Sequence, residues 1–160
     1  MAETLGSLVD KLTIKTLREY HIKEMKGKKS KFTKAELDEK LLVLKRQKKE
    51  LTIEIDKFVD SAINGNLPMR DEKLKIYNRP DIIGKIGKIK GISGAINKLS
   101  QKNIELWHLE DEARLEDVPL SYIGKIKRKI DVTNQHRNDC IDLIDELFEK
   151  SLKKIKNKKK

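Results

Sequence analysis

The sequence predicts an all-α protein, an antiparallel four-helix bundle made of two tandem helical hairpins, and three observations predict it. Charged residues make up 39% of the chain and aromatics 4%, a balance that suits long solvated helices and leaves too few large rings for a β-sandwich or barrel. Apolar residues recur at Leu37, Leu41, Leu44, Leu51, Ile55 and Phe58, a seven-residue pattern interrupted by Lys48 alone, which gathers them on one helix face. The chain also repeats itself. Val9 to Glu24 aligns without a gap on Ile96 to Asp111, setting Lys11 on Lys98, Leu12 on Leu99 and His21 on His108. Later, Leu41, Leu44, Lys48, Leu51, Ile55, Asp56 and Phe58 fall on Ile130, Thr133, Arg137, Cys140, Ile144, Asp145 and Leu147. A duplicated helix-loop-helix follows from the two alignments.

Each element has its own signals. Helix one is expected from about Ser7 to Met25, closed by the loop Lys26-Gly27-Lys28-Lys29-Ser30-Lys31. Helix two opens at Thr33-Lys34-Ala35-Glu36, where the threonine hydroxyl caps the first turn and the glutamate reaches back to the cap amide. From Asn64 to Gly91 the composition changes: Asn64-Gly65-Asn66, Pro68, Arg79-Pro80 and the later glycines Gly84, Gly87 and Gly91 mark a connector with room for a short helix. Helix three is expected from about Ser93 to Glu116, and Asp117-Val118-Pro119 makes the turn into helix four, about Leu120 to Lys150. At 160 residues the chain suits one helical domain: hairpin one about 5–62, connector about 63–92, hairpin two about 93–150 and a basic tail 151–160. The tail has no apolar periodicity, and its lysines repel one another, so fraying is expected there.

Bulk properties narrow the function classes. No apolar run approaches about 18 residues, and the opening Met1-Ala2-Glu3-Thr4 lacks a basic stretch followed by an apolar one. Neither a membrane span nor a signal peptide is expected, which places the protein in the cytoplasm. The single cysteine, Cys140, has no partner for an intramolecular disulfide and falls on an apolar stripe, where a buried thiol is expected. The net charge of +11 attracts polyanions. Much of it is lysine spread along whole helices, however, and the tail from Lys150 to Lys160 is a solvated run with no interleaved aromatic or arginine, so specific nucleic-acid recognition is not expected.

The polar residues of interest lie in the second hairpin. A wheel at 100° per residue puts Ile96, Leu99, Leu106, Trp107 and Ala113 on one face of helix three, and Asn103, Glu110 and Arg114 share it. On helix four the inward stripe Ile123, Ile126, Ile130, Cys140, Ile141, Ile144 and Leu147 also carries Asn134 and Arg137. Such groups must satisfy one another or a ligand when buried. Glu110 and Arg114 have helical ion-pair spacing, and Arg137 is within reach of Glu110 across the seam. Two readings stand: a buried network that fixes helix register, or a pocket for an anionic ligand, since one carboxylate does not neutralise two guanidinium groups. The first hairpin has Thr16, Lys23 and Lys48 at the equivalent places, which locates any site in the second. His108 sits at the edge of the wheel between Glu105 and Asp111, a Glu-x-x-His spacing found in dimetal helical bundles. The first hairpin offers Arg18-x-x-His21 instead, where a cation repels a metal, so no metal centre is expected. Gly84, Gly87, Gly91 and Gly94 match no phosphate-loop or dinucleotide fingerprint, and no cofactor is expected.

The run Lys102-Asn103-Ile104-Glu105-Leu106-Trp107-His108-Leu109-Glu110-Asp111-Glu112-Ala113-Arg114, followed by Lys127-Arg128-Lys129-Ile130-Asp131 and Asn134-Gln135-His136-Arg137-Asn138-Asp139, resembles a bacterial family of unknown function. That family carries a Lys-Asn-x-x-x-Trp-His-Leu-Glu-Asp-x-x-Arg block and a Lys-Arg-x-Ile-Asp…Asn-Gln-x-Arg-(Thr/Asn)-Asp block. Leu5-Gly6-Ser7-Leu8-Val9-Asp10-Lys11-Leu12-Thr13-Ile14 is similar to the Gly-Glu-Leu-Ile-Asp-Lys-Ile-Thr-Ile opening of a second such family, with Ser7 in place of its glutamate. Genes for such proteins tend to sit beside glycosyltransferase and lipopolysaccharide genes, so the resemblance implies a role near surface-glycan biosynthesis without naming a reaction. Asn103, Trp107, Glu110, Arg114, Asn134 and Arg137 all lie in the matched blocks and are the candidate ligand-binding residues, with His108, Asp111 and Asn138 secondary. The favoured expectation is a non-enzymatic accessory or interaction module whose partner is a protein or an anionic small molecule such as a sugar nucleotide. The alternatives are a small enzyme using the Glu/Arg/Asn cluster and a basic nucleic-acid binder.

Overall fold

A computed structural model of the chain describes residues 3–65, 69 and 87–158. Among the described residues it contains four helices and no strand: α1 Leu5–Lys26, α2 Lys34–Ile63, α3 Gly91–Glu112 and α4 Leu120–Lys158. The two hairpins are α1 with α2 and α3 with α4, and α1 also packs on α3 and α4. Most of the expected connector, including its suggested short helix, lies outside the described residues.

Local chemistry fixes the helix starts. Thr33 caps α2 through the expected box, its hydroxyl accepting from the Glu36 amide while Glu36 accepts from the Thr33 amide at 2.7 Å. The same device starts α1 at Leu5, before the expected Ser7. Thr4 is the cap, and Ser7, rather than a glutamate, accepts from the Thr4 amide at 2.9 Å. α4 continues to Lys158, past the expected end at Lys150. The ion pairs of Glu146 with Lys150 and of Glu149 with Lys153 at 2.7 Å set opposite charges one turn apart among the tail lysines, and buried Leu152 ties this stretch to the core.

Three apolar clusters hold the fold. The central one joins all four helices through Leu5, Leu8, Leu51, Phe58, Ala95, Leu99, Cys140 and Ile144, among others. A second joins Ile22 and Met25 of α1 to Leu37, Leu41 and Leu44 of α2. The third holds only residues of the second hairpin, Leu106 and Leu109 of α3, its C-cap Ala113, and Ile126 and Ile130 of α4. The C-terminal half of α2 therefore belongs to the common core, whereas its N-terminal half packs on α1 alone, and the hairpins part at that end. Lys48, which interrupts the apolar repeat, reaches Glu19 of α1 at 2.6 Å. The hydrogen bond from Lys23, joined by that from Lys48, holds the Glu19 carboxyl down at about 2. A carboxylate with a depressed folded-state pKa contributes stability that is fully present above its unfolded value near 4.5 and fades as pH falls toward 2. The stability difference between the parent and Glu19→Gln is accordingly expected to be largest at pH 5–7 and to vanish near pH 2, as denaturant titrations across that range will show.

Candidate functional site

α1 is the helix around which the polar groups converge. It runs parallel to α3 and antiparallel to α4, as paired contacts along its length show: Gly6 meets Ile141 and Asp145, Asp10 meets Arg137, Thr13 meets Asn103, and His21 meets Trp107. At its N-terminus the Gly6 amide donates to the buried Asp145 carboxylate at 2.7 Å. One turn further, buried Asp10 accepts from Arg137 Nε at 3.0 Å and Nη2 at 2.5 Å, and from Asn103 Nδ2 at 2.9 Å. Asn103 also donates to the Thr13 hydroxyl at 2.9 Å, and Arg137 Nη1 to Asn134 at 3.3 Å. The Asp10 bonds push the Arg137 pKa up, against the effect of its burial. A bidentate pair with its remaining acceptor sites filled is the condition under which a buried charge is tolerated. The network ties α1 to both helices of the second hairpin.

Three placements differ from the sequence reading: the counter-charge of Arg137, the exposure of Glu110 and Arg114, and that of Asn134. The counter-charge of Arg137 is Asp10 of the first hairpin, not Glu110. Glu110 and Arg114 are exposed, 48% and 69% at their side chains, and pair with one another at 3.9 Å, with Arg114 also reaching Asp111 at 3.1 Å. The physical reason lies in the third cluster: beyond His108, whose ring still meets His21, α3 packs on α4, so residues on its α1-facing side emerge into solvent. Asn134, Asn138 and His108 are exposed as well. Replacing Glu110 with Ala is therefore expected to change stability by less than about 0.5 kcal/mol in chemical denaturation, where a buried counter-ion costs about 3–5 kcal/mol.

Above the tie sits a cluster of rings. His21 stacks on Trp107 with centroids 4.5 Å apart and planes within 5°, and both Tyr20 and His108 meet His21 edge-on, at 5.3 and 6.4 Å. His21 and His108, equivalent in the repeat, thus face each other across the α1–α3 contact. His21 Nδ1 lies 3.1 Å from Glu24 Oε2; a carboxylate only accepts, so Nδ1 carries the proton. Two grooves flank the stack. One, of about 670 Å³, follows the α1–α3 junction past Leu12, Leu17, Tyr20, Ile104 and His108. The other, of about 600 Å³, lies where α2 leaves the common core. Ile22, Met25, Val43, Leu44 and Trp107 give it an apolar floor, and Lys15, Arg18 and Lys40 a cationic rim.

Glu105, the acid of the Glu-x-x-His spacing, is engaged otherwise. Burial raises its pKa, but the bonds from Lys102 at 2.6 Å and Thr133 at 3.1 Å leave it lowered on balance. Among the described residues no three His, Cys, Asp or Glu side chains converge on a metal position. Cys140 is buried, and burial pushes its thiol pKa up.

Two helical hairpins tied together by the ion pair of buried Asp10 with part-buried Arg137 define the structural class. The chain belongs to the family described as "Protein of unknown function (DUF4254)", whose model matches residues 1–70 and 93–160, one stretch for each hairpin. No curated protein and no solved structure matches it. No described helix is long and apolar enough to cross a membrane.

Proposed function

We propose that the protein is a non-enzymatic accessory module that holds an anionic partner in the cleft between the hairpins, on the cytoplasmic side of surface-glycan biosynthesis. The single observation that supports the reading is the division of labour among its charges. Asp10, Arg137, Asn103 and Asn134 are occupied with one another, whereas Lys15 and Arg18 border an open cleft with no described carboxylate at ion-pair distance. The sequence-derived candidates Asn103, Asn134 and Arg137 then act by fixing α1 against the second hairpin, and Trp107 contributes to the cleft itself. The gene neighbourhood implied by the sequence resemblance supports the glycan setting. Nucleic acid is set aside because many lysines are engaged along their own helices, as in the pairs of Lys23 with Glu19 and Lys153 with Glu149.

A thermal-shift series tests the reading, because a ligand that binds only the folded state raises the melting temperature. Sugar nucleotides, pyrophosphate and acidic peptides are compared on the parent and on Arg18→Glu. A rise with at least one anion that is lost in Arg18→Glu is the expected result. A rise that survives in Arg18→Glu, or none with any anion, overturns it.

A further inference from the structure

We infer that the partner seated in the cleft is an acidic amphipathic helix of another protein; this rests on the reading above and specifies the chemistry of its ligand. The first observation is shape. Over its N-terminal half α2 packs on α1 but not on the second hairpin, so the cleft is a helix-lined trough with α1 at its base, α2 along one side and Trp107 on the other. This is the place a further helix takes when it completes a bundle.

The second observation is the distribution of the cations. The ion pairs of Lys26 with Asp38 and of Glu19 with Lys48 set the register of α1 against α2, and place Lys40 close to the level of Met25. Lys15, Arg18 and Lys40 therefore border a length of about ten residues of α1, or about 15 Å at the helical rise. A phosphate or pyrophosphate does not span that distance, whereas acidic residues on successive turns of a helix do. The third observation is polarity. The floor of Ile22, Met25, Val43, Leu44 and Trp107 is apolar, and among the described residues the one acidic side chain lining the cleft is Glu39. Apolar residues at i, i+3 and i+4 on the partner would cover this floor while flanking glutamates met the rim.

Trp107 is the only tryptophan of the chain and lines the cleft, so its emission reports occupancy directly. The probe is a synthetic helical peptide of about three turns, with a leucine stripe flanked by glutamates. Its controls are the same stripe flanked by lysines, a scrambled glutamate peptide, and inorganic pyrophosphate. Saturable change in Trp107 emission with the glutamate-flanked helix alone, weakened about tenfold in Arg18→Glu and by raised salt, is expected. Circular dichroism of Arg18→Glu verifies that this exposed substitution leaves the fold intact. Equal responses to the lysine-flanked or scrambled peptides overturn the proposal. Arg18-dependent binding of pyrophosphate without the peptide overturns the helix and leaves the anionic-partner reading standing; no response to any probe overturns both.

Discussion

Replacing Gly6 with Ala is expected to lower the melting temperature by about 10 °C, the consequence of a destabilisation of about 3 kcal/mol in a chain of this size. A Cβ at this position stands 2.3 Å from the carbonyl oxygen of Ile141 and 3.0 Å from its carbonyl carbon. Both are backbone atoms of α4, so no rotamer change relieves the clash and the helices must separate. Separation also lengthens the buried bond from the Gly6 amide to Asp145. Differential scanning calorimetry measures the effect. Gly124 is the control, since a Cβ there meets nothing within 4 Å, and its replacement by Ala in α4 is expected to be neutral or slightly stabilising.

The second large effect is at Arg137. Removing its guanidinium by Arg137→Ala leaves the buried Asp10 carboxylate with the Asn103 amide as its remaining side-chain donor, at an expected cost of about 3–5 kcal/mol. Arg137→Met is expected to be costly for the same reason, because it fills the space without neutralising Asp10. Only the pair Asp10→Leu with Arg137→Met removes both charges, and this double variant is expected to recover most of the loss, with Asn103 still held by Thr13. Urea unfolding of the two single variants and the double variant gives the coupling energy. A value near zero would mean that Asp10 and Arg137 do not support one another in solution.

These two sites mark how much of the structure was legible in the sequence. Leu37, Leu44, Leu51 and Phe58 are buried where the seven-residue repeat placed them, because a helix stripe is a local property. The Thr33–Glu36 box was legible for the same reason, while the equivalent start of α1 went unread because Ser7 stands where a glutamate signals the box. The wheel also turned Asn103 and Arg137 inward. It did not supply Asp10, since a wheel gives the direction a side chain takes around its own axis and not which element stands opposite. The uncompensated positive charge of a seam drawn from the second hairpin alone was the available signal that a carboxylate comes from elsewhere. Glu110 and Arg114 share that inward face on paper, yet α1 no longer covers α3 at their level. The Gly6 contact, the Asp145 bond and the cleft arise from contacts distant in sequence, and no local pattern announces them. Gly6, Asp10, Asn103 and Arg137 all fall within the two stretches, residues 1–70 and 93–160, that one family's model matches. The fold brings these segments together in one network.

On the function proposed above, the polar tie holds the hairpins while the cleft beside Trp107 does the binding. This division of roles is tested most directly by the dissociation constant of the glutamate-flanked helical peptide, read from Trp107 emission, in Arg18→Glu and in the Asp10→Leu/Arg137→Met double variant. About a tenfold loss of affinity is expected in the first and a change within about twofold in the second, whose substitutions lie outside the cleft lining. Undiminished binding in Arg18→Glu together with lost binding in the double variant would contradict it, and would return the binding role to the polar cluster.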